Sequence, residues 1–196
     1  MDYANIRNAL GTRRHFGVGT ASELLGIKKE SARVICSRLT RKGLLLRLKR
    51  DLYILREKWD NLQYEDFLKI ANVLQVPSYV SCMSALAFYD VSTQVHRSFF
   101  ENVSLKRTRA FDPDNAVFNY YKVKKSLYFG FERKGGVFIA GKEKAFLDAV
   151  YLYSFGKYRF DISSISMGKL QKSRIDDILG RYPVKTQKTF NKLWTS

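Results

Sequence analysis

Cysteine, histidine and acidic side chains are all scarce in this chain of 196 residues. The two cysteines, Cys36 and Cys82, form no CxxC or other ligand-like spacing, so no metal site is expected from them. Cys36 reads instead as a small core residue in a reducing compartment. Of the two histidines, His15 has no acid, cysteine or second histidine beside it in sequence, which suits a loop contact to phosphate or a plain surface residue better than a ligand or base. There is no glycine-rich phosphate loop, and no serine is accompanied by a His and an acid at a recognisable spacing. Neither catalysis nor a cofactor is expected.

Long apolar runs are missing as well. The nearest approach, Tyr79 to Val91, is interrupted by Ser81, Ser84 and Asp90 and is too short to span a bilayer. The opening MDYANIRNAL lacks a charged region followed by an apolar one, so a cytoplasmic protein is expected. No long basic amphipathic helix with a Trp- or Phe-rich face is present, which ranks a membrane surface low as a partner. The shortage of acids is the most informative absence. Against 35 Lys and Arg stand 18 Asp and Glu, a net charge of +17 with pI near 9.9. That imbalance argues for a polyanionic partner, and nucleic acid comes first.

What is present is ample material for packed cores, 45% hydrophobic residues, in one large or two small domains. The charge is densest between Lys28 and Arg50, KKESARVICSRLTRKGLLLRLKR, with nine basic residues against one acid, Glu30. Wound as a helix, its first part places Ala32, Ile35, Cys36 and Leu39 on one face. Arg33, Ser37, Arg38 and Arg41 lie opposite.

Around this stretch the order of elements is specific. Tyr3 to Leu10 predicts a short helix ended by Gly11 and Thr12, followed by a basic loop, Arg13, Arg14 and His15, and a short strand at Phe16 to Val18. Thr20 is the expected N-cap of a helix over Ala21 to Leu25, with Glu23 as capping-box partner. Gly26 and Ile27 form a turn, Lys28 to Lys42 a second helix, and Gly43 its left-handed stop. Leu44 to Leu48 and Leu52 to Leu55 then read as a hairpin, with Leu46 and Leu48 facing the core and Arg47 and Lys49 facing out.

A capped helix, a Gly turn, a basic helix and a basic hairpin together predict a winged helix-turn-helix domain over residues 1–60. Its recognition helix would present Lys28, Lys29, Ser31 and Arg33 to base edges, with Ser37, Arg38 and Arg41 further along. Arg47, Lys49 and Arg50 of the wing would hold phosphate or a minor groove. The alternative is a surface helix with a solvated basic face.

Glu57 to Asn61 reads as a polar bridge with the domain boundary near Asp60; residues 61–196 form the second expected domain, and the fold class is α+β, with a small, mostly antiparallel sheet flanked by helices. Tyr64 to Leu74 is an amphipathic helix carrying Phe67, Leu68, Ala71 and Leu74. Pro77 opens a buried helix, Ser78 to Tyr89, whose serines serve packing and capping. Phe99 to Lys106, Val117 to Val123, Leu127 to Arg133 and Val137 to Ala140 are strands, the last two joined by a turn at Gly135 and Gly136. Lys142 to Tyr153 is a helix with Ala145, Phe146, Ala149 and Tyr153 on one face and a Lys144 to Asp148 pair. Ser173 caps a helix ending near Tyr182, and Pro183 begins a last one.

Two further sets of residues have chemical potential. Arg13 and Arg14, with Lys106, Arg107, Arg109, Lys122, Lys124 and Lys125, would extend a DNA footprint as secondary contacts. Asp112 and Asp114 with Glu132 and Lys134 fit the acid-x-Lys pattern of a Mg²⁺-dependent nuclease, although turn residues beside both pieces make solvated hairpin ends the default. A third option gives the C-terminal domain an enzymatic action on a partner, without a motif to support it.

With the winged helix in place, PSYVSCMSAL (Pro77 to Leu86) and EKAFLDAVY (Glu143 to Tyr151) give a chain that resembles the AbiEi antitoxins of bacterial type IV toxin-antitoxin systems, from its N-terminal helix to about Tyr182. The resemblance implies an autorepressor that binds inverted repeats of double-stranded operator DNA in its own promoter. It also implies a C-terminal domain that neutralises a nucleotidyltransferase-like toxin, with direct contact and oligomeric state left open. The family's wing usually reads Arg-Gly-x-Tyr. Here it reads Arg50, Asp51, Leu52, Tyr53, and Asp tolerates the left-handed turn better than most residues. A regulator of the same fold without a toxin remains the alternative.

Overall fold

The computed structural model describes residues 3–94 and 98–195, which divide into two units. One runs to Gln63 and includes Phe111–Asn115; the other holds Tyr64–Ala110 and the remainder from Ala116.

The first unit is a three-helix bundle followed by a hairpin: α1 (Tyr3–Leu10), α2 (Val18–Leu25), α3 (Lys29–Arg41), β1 (Leu45–Lys49) and β2 (Leu52–Leu55). Ile6 and Leu10 of α1 share one face and are buried, as are Ala21 of α2 and Ala32, Cys36 and Leu39 of α3. Burying a Leu- or Ile-sized side chain contributes about 1.5–3 kcal/mol, so this stripe holds the three helices together. Gly26 ends α2 with φ +61, and Gly43 follows α3 with φ +71, both in the left-handed region that glycine enters without a Cβ clash.

Four local expectations are corrected. Thr20 does not cap α2 but lies inside it; the helix starts at Val18, and Asp51 of the hairpin accepts from the Val18 N–H at 2.8 Å. Phe16 to Val18 is no strand of its own. Phe16 makes a single bridge to Tyr53, with backbone hydrogen bonds of 2.9 and 2.8 Å. In the hairpin, the register runs Arg47 to Tyr53 and then Lys49 to Leu52, so a bulge falls between. The extra residue breaks the alternation, and Leu45 and Leu48 are buried while Leu46 is half-buried. The stretch expected as a polar bridge, Glu57–Asn61, is largely helical. It overlaps the one-turn helix α4 (Arg56–Trp59), which buries Trp59. Lys58 Nζ donates to the carbonyls of Gly11 and Arg13, satisfying groups at the end of α1.

In the second unit α5 (Tyr64–Leu74) matches its expected span and buries Leu68, Ile70, Ala71 and Leu74. The predicted helix from Pro77 does not form. Ser78–Val80 is strand β3, fully buried, and only Cys82–Phe88 is helical, as α6. A short apolar run fits a buried strand as well as a buried helix, and here pairing on both sides of β3 decides. Strands β4 (Phe99–Ser104), β5 (Arg109–Phe111), β6 (Val117–Lys122), β7 (Phe131–Lys134) and β8 (Val137–Ala140) complete a six-stranded sheet in the order β5-β6-β4-β3-β8-β7. The sheet is mixed: β4 runs parallel to β6 and β3 to β8, whereas β3–β4 and β7–β8 are antiparallel. β5 was not foreseen, and the expected strand from Leu127 begins at Phe131, after a 3-10 turn at Lys125–Leu127. Gly135 and Gly136 make the tight turn with φ +57 and +83.

Helix α7 (Lys142–Ser154) is buried on nearly every side, not on one face. Tyr153, expected on one face with Ala145, Phe146 and Ala149, is 42% exposed, whereas those three are buried. Helices α8 (Lys172–Leu179) and α9 (Val184–Trp194) follow, with Gln171 and Pro183 as their N-caps; Ser173 lies inside α8.

Candidate nucleic-acid interface

Helix α3 exposes all the polar residues expected of a recognition helix. Lys28 is its N-cap, and Lys29, Ser31, Arg33, Ser37, Arg38 and Arg41 all face solvent. At 100° per residue, the line opposite the buried stripe runs Glu30, Val34, Ser37, Arg41, flanked by Lys29 and Arg33 on one side and by Ser31 and Arg38 on the other. Glu30 and Val34 were not among the predicted reading residues. Val34 is 65% exposed, an apolar group at the centre of a polar face, where it would suit a thymine methyl; Glu30 would accept from a cytosine amino group. Their helical position opposite the buried stripe is the sequence signal that marks them.

The wing brings its own cations to the same place. Lys29 and Arg33 of α3 and Arg47 and Arg50 of the wing line a groove of about 510 Å³, floored by Val18, Asp51 and Tyr53. Four cations converge here, and Asp51 is the one acid among the lining residues. Lys49 is half-buried in the same hairpin. Arg13 and Arg14 are exposed on the loop before α2. His15 beside them is half-buried, and burial, reinforced by Arg14 and Lys49, pulls its pKa below the ordinary histidine value. A neutral imidazole suits a hydrogen-bonding loop residue and adds no charge to the groove.

Residues named as secondary contacts cluster in the second unit. Ser104 at the end of β4 pairs in parallel register with Lys122 at the end of β6. The segments leaving both strand ends therefore carry Lys106 and Arg107 on one side and Lys124 and Lys125 on the other, all exposed. The Lys122 N–H donates to Thr108 Oγ1 at 3.0 Å, tying the two segments. Arg109 begins the edge strand β5.

The acids singled out for metal chemistry are placed otherwise. Asp114 Oδ2 pairs with Arg56 Nη2 at 2.8 Å, and Asp112 is exposed nearby in sequence. Glu132 and Lys134 do share a face of β7 and are exposed, but Lys134 Nζ lies 4.8 Å from the Tyr89 ring centroid. Among the described residues no group of three or more His, Cys, Asp or Glu is placed to hold a metal ion.

Two buried sites in the second unit have polar chemistry. The stretches Pro77 to Leu86 and Glu143 to Tyr151 meet at Asp148, which is fully buried. Its Oδ2 accepts from Tyr79 Oη at 3.0 Å and Ser81 Oγ at 2.8 Å, and its Oδ1 from Tyr182 Oη at 3.1 Å and from Lys144 Nζ. Burial pulls the Lys144 pKa below its ordinary value, although Asp148 opposes the shift. This closed network is a structural device, since none of its members reaches solvent. Cys82, the first residue of α6, has φ +51, a conformation resembling a nucleophile elbow. Its thiol is fully buried and burial pushes its pKa well up, so it stays protonated and inert.

No model of a known protein family matches this sequence, and comparison with curated proteins finds no relative. Among the described residues no helix is long and apolar enough to cross a membrane. The fold is a winged helix-turn-helix unit followed by an α/β unit, consistent with a DNA-binding regulatory protein in general.

Proposed function

We propose that this protein is a cytoplasmic transcriptional repressor that binds operator DNA through α3 and the wing, and acts, without catalysis of its own, as the antitoxin of a type IV toxin-antitoxin system. The observation that carries the DNA-binding half is the groove in which Lys29 and Arg33 converge with Arg47 and Arg50. A helix that exposes Glu30, Val34, Ser37 and Arg41 has hydrogen-bonding and apolar groups for base edges, while the wing cations neutralise phosphate. The antitoxin half rests on the resemblance of Pro77 to Leu86 and Glu143 to Tyr151, stretches that meet in one buried network and so form a single structural unit of the second domain.

The test is a gel-shift titration. Duplex taken from upstream of the protein's own gene is retarded at concentrations about tenfold or more below those needed for random duplex; equal affinity overturns the regulator reading. Co-expression with the product of the neighbouring gene then tests the antitoxin reading. Rescue of growth from a nucleotidyltransferase-like toxin supports it. Operator binding with no such rescue leaves a solitary winged-helix regulator.

A further inference from the structure

Helix α5 presents two faces to the protein. Leu68, Ala71 and Leu74 are buried, while Lys69, Asn72 and Val73, spaced i, i+3 and i+4, share a neighbouring stripe and are half-buried. This second stripe meets the β7–β8 hairpin. Asn72 makes the junction: its Nδ2 donates to the Phe138 carbonyl at 3.2 Å, and its Oδ1 accepts from the Phe138 N–H at 2.6 Å.

Beside the junction, helix and hairpin leave a groove of about 450 Å³, a size within the 300–1,000 Å³ typical of small-molecule sites. Alternation along β7 sends Phe131 and Arg133 to one face, and the pairing of Arg133 with Phe138 puts Phe138 on that face too. Helix α5 and the segment after it contribute Val73, Val76 and Pro77. Val76 is 55% and Phe138 44% exposed, so this apolar lining is left uncovered by the chain itself, as in a ligand groove.

The groove has a charged end and an apolar end. Arg133 lies one pair in from Lys134 and Val137, which close the hairpin turn. A Cβ on Gly136, in that turn, would meet Lys69 Cε at 3.8 Å. Both cations therefore sit toward the turn, whereas Phe131, paired with Ala140, lies further from it. No acid is among the residues that line the groove. Lys69 Nζ has Asp66 at 3.5 Å, but the Arg133 side chain makes no ion pair or hydrogen bond with any described residue. A guanidinium offers a planar fork of donors that matches a carboxylate with two parallel bonds.

We infer that this groove binds a small apolar carboxylate, its tail against Val73, Val76, Phe131 and Phe138 and its head on Arg133, with Lys69 beside it. The inference does not rest on the repressor reading, because its residues all belong to the second unit and none is in α3 or the wing. A neutral molecule of the same shape forgoes the guanidinium, and a cationic one meets two like charges. A short acid has the head but nothing to bury.

Isothermal titration of the full chain with decanoate, decanol, decyltrimethylammonium and acetate, each below its micellar or solubility limit, tests this. Decanoate should saturate a single site about tenfold or more tighter than decanol, the charge-assisted bonds making the difference, and the other two should not saturate. Arg133→Gln should weaken decanoate by about tenfold and leave decanol unchanged. Val76→Ser with Phe138→Ser should weaken both by about tenfold, since it removes the apolar lining. Lys188→Gln, at an exposed position of α9, should change neither. Circular dichroism of each variant verifies that it folds. Equal affinity for decanoate and decanol overturns the inference. So does decanoate binding that a folded Arg133→Gln variant retains in full, or that Lys188→Gln weakens as much, because the net charge of +17 would then explain it. Binding of phosphatidylglycerol vesicles through Arg133 without any binding of free decanoate also overturns it and would make the groove a lipid-surface contact.

Discussion

Asp51 Oδ1, at the turn of the wing, accepts a hydrogen bond from the backbone N–H of Val18, the first residue of α2, at 2.8 Å. The helix thus takes its N-terminal cap from a hairpin far along the chain, and the wing is fixed against the helix pair that positions α3. The contact requires a close approach. A Cβ on Gly17 would stand 3.1 Å from the Asp51 carbonyl oxygen, so glycine at position 17 and Asp at position 51 form one joint.

Substitutions at Asp51 separate its two roles. Its φ of +58 is left-handed, which costs an ordinary L-residue roughly 1–2 kcal/mol, and the cap is worth about 1 kcal/mol. Asp51→Ala therefore loses about 2 kcal/mol in a urea titration. Asp51→Gly loses the cap but relieves the backbone and falls by less than about 1 kcal/mol. Asp51→Asn keeps an acceptor and tolerates the conformation; it should hold its stability and tighten duplex binding, since the groove loses its one acid. Equal losses for Ala and Gly would contradict the assignment of left-handed strain.

The helix and the wing should respond differently to salt. Arg47→Ala and Arg50→Ala each weaken every duplex alike and shallow the dependence of log K on log salt by about 0.9 for each phosphate that is no longer neutralised. Arg33→Ala and Val34→Ser, on the reading face, lower preference for the operator by about 1–3 kcal/mol per base read. Val34→Ser leaves stability within about 0.5 kcal/mol because the side chain is exposed. Gel-shift series at several salt concentrations check both. Slope changes at Val34, or specificity changes at Arg50, would exchange the roles of helix and wing.

The local grammar of the N-terminal unit was legible because it is written in short-range signals. The stripe of Ala32, Cys36 and Leu39, Gly43 as the stop and the Leu-rich hairpin all come from periodicity and turn chemistry. What escaped the sequence depends on distant partners. Thr20 looked like a cap because the competing acceptor, Asp51, is brought to Val18 only by folding. Ser78–Val80 looked helical because an apolar run has no period, and its strand state follows from pairing with β4 and β8. Lys144 and Asp148 were paired correctly from i, i+4 spacing, but their complete burial was not visible, and neither was Glu101, whose importance lies in what surrounds it.

The Asp148 network predicts an asymmetry. Asp148→Ala strands Lys144 and three hydroxyls in a dry site and costs about 3–5 kcal/mol, the range for breaking a buried pair. Lys144→Met also removes one partner, but Tyr79, Ser81 and Tyr182 still donate to the carboxylate, so its cost is smaller. Urea titration of the two variants gives the order directly. The reverse order would mean that the lysine, not the carboxylate, is the hub.

Glu101 makes stability fall as pH rises. Below the ordinary glutamate value of 4.5 the carboxyl is protonated in both the folded and unfolded chain, and the residue contributes nothing to pH dependence. Between 4.5 and the folded value of about 7, the folded protein keeps a proton that the unfolded chain has released, so each step up in pH favours unfolding. Above 7 the full difference is lost, about 3 kcal/mol for a shift of that size in a group this deeply buried. Glu101→Gln removes the titration. It should match the parent near pH 4.5 and exceed it by about 2–3 kcal/mol at pH 8, read from urea midpoints across that range. Parallel pH profiles for parent and variant would mean that the carboxyl titrates alike in the folded and unfolded chain, the hydrogen bonds from Met83, Ser84 and Tyr158 offsetting its burial.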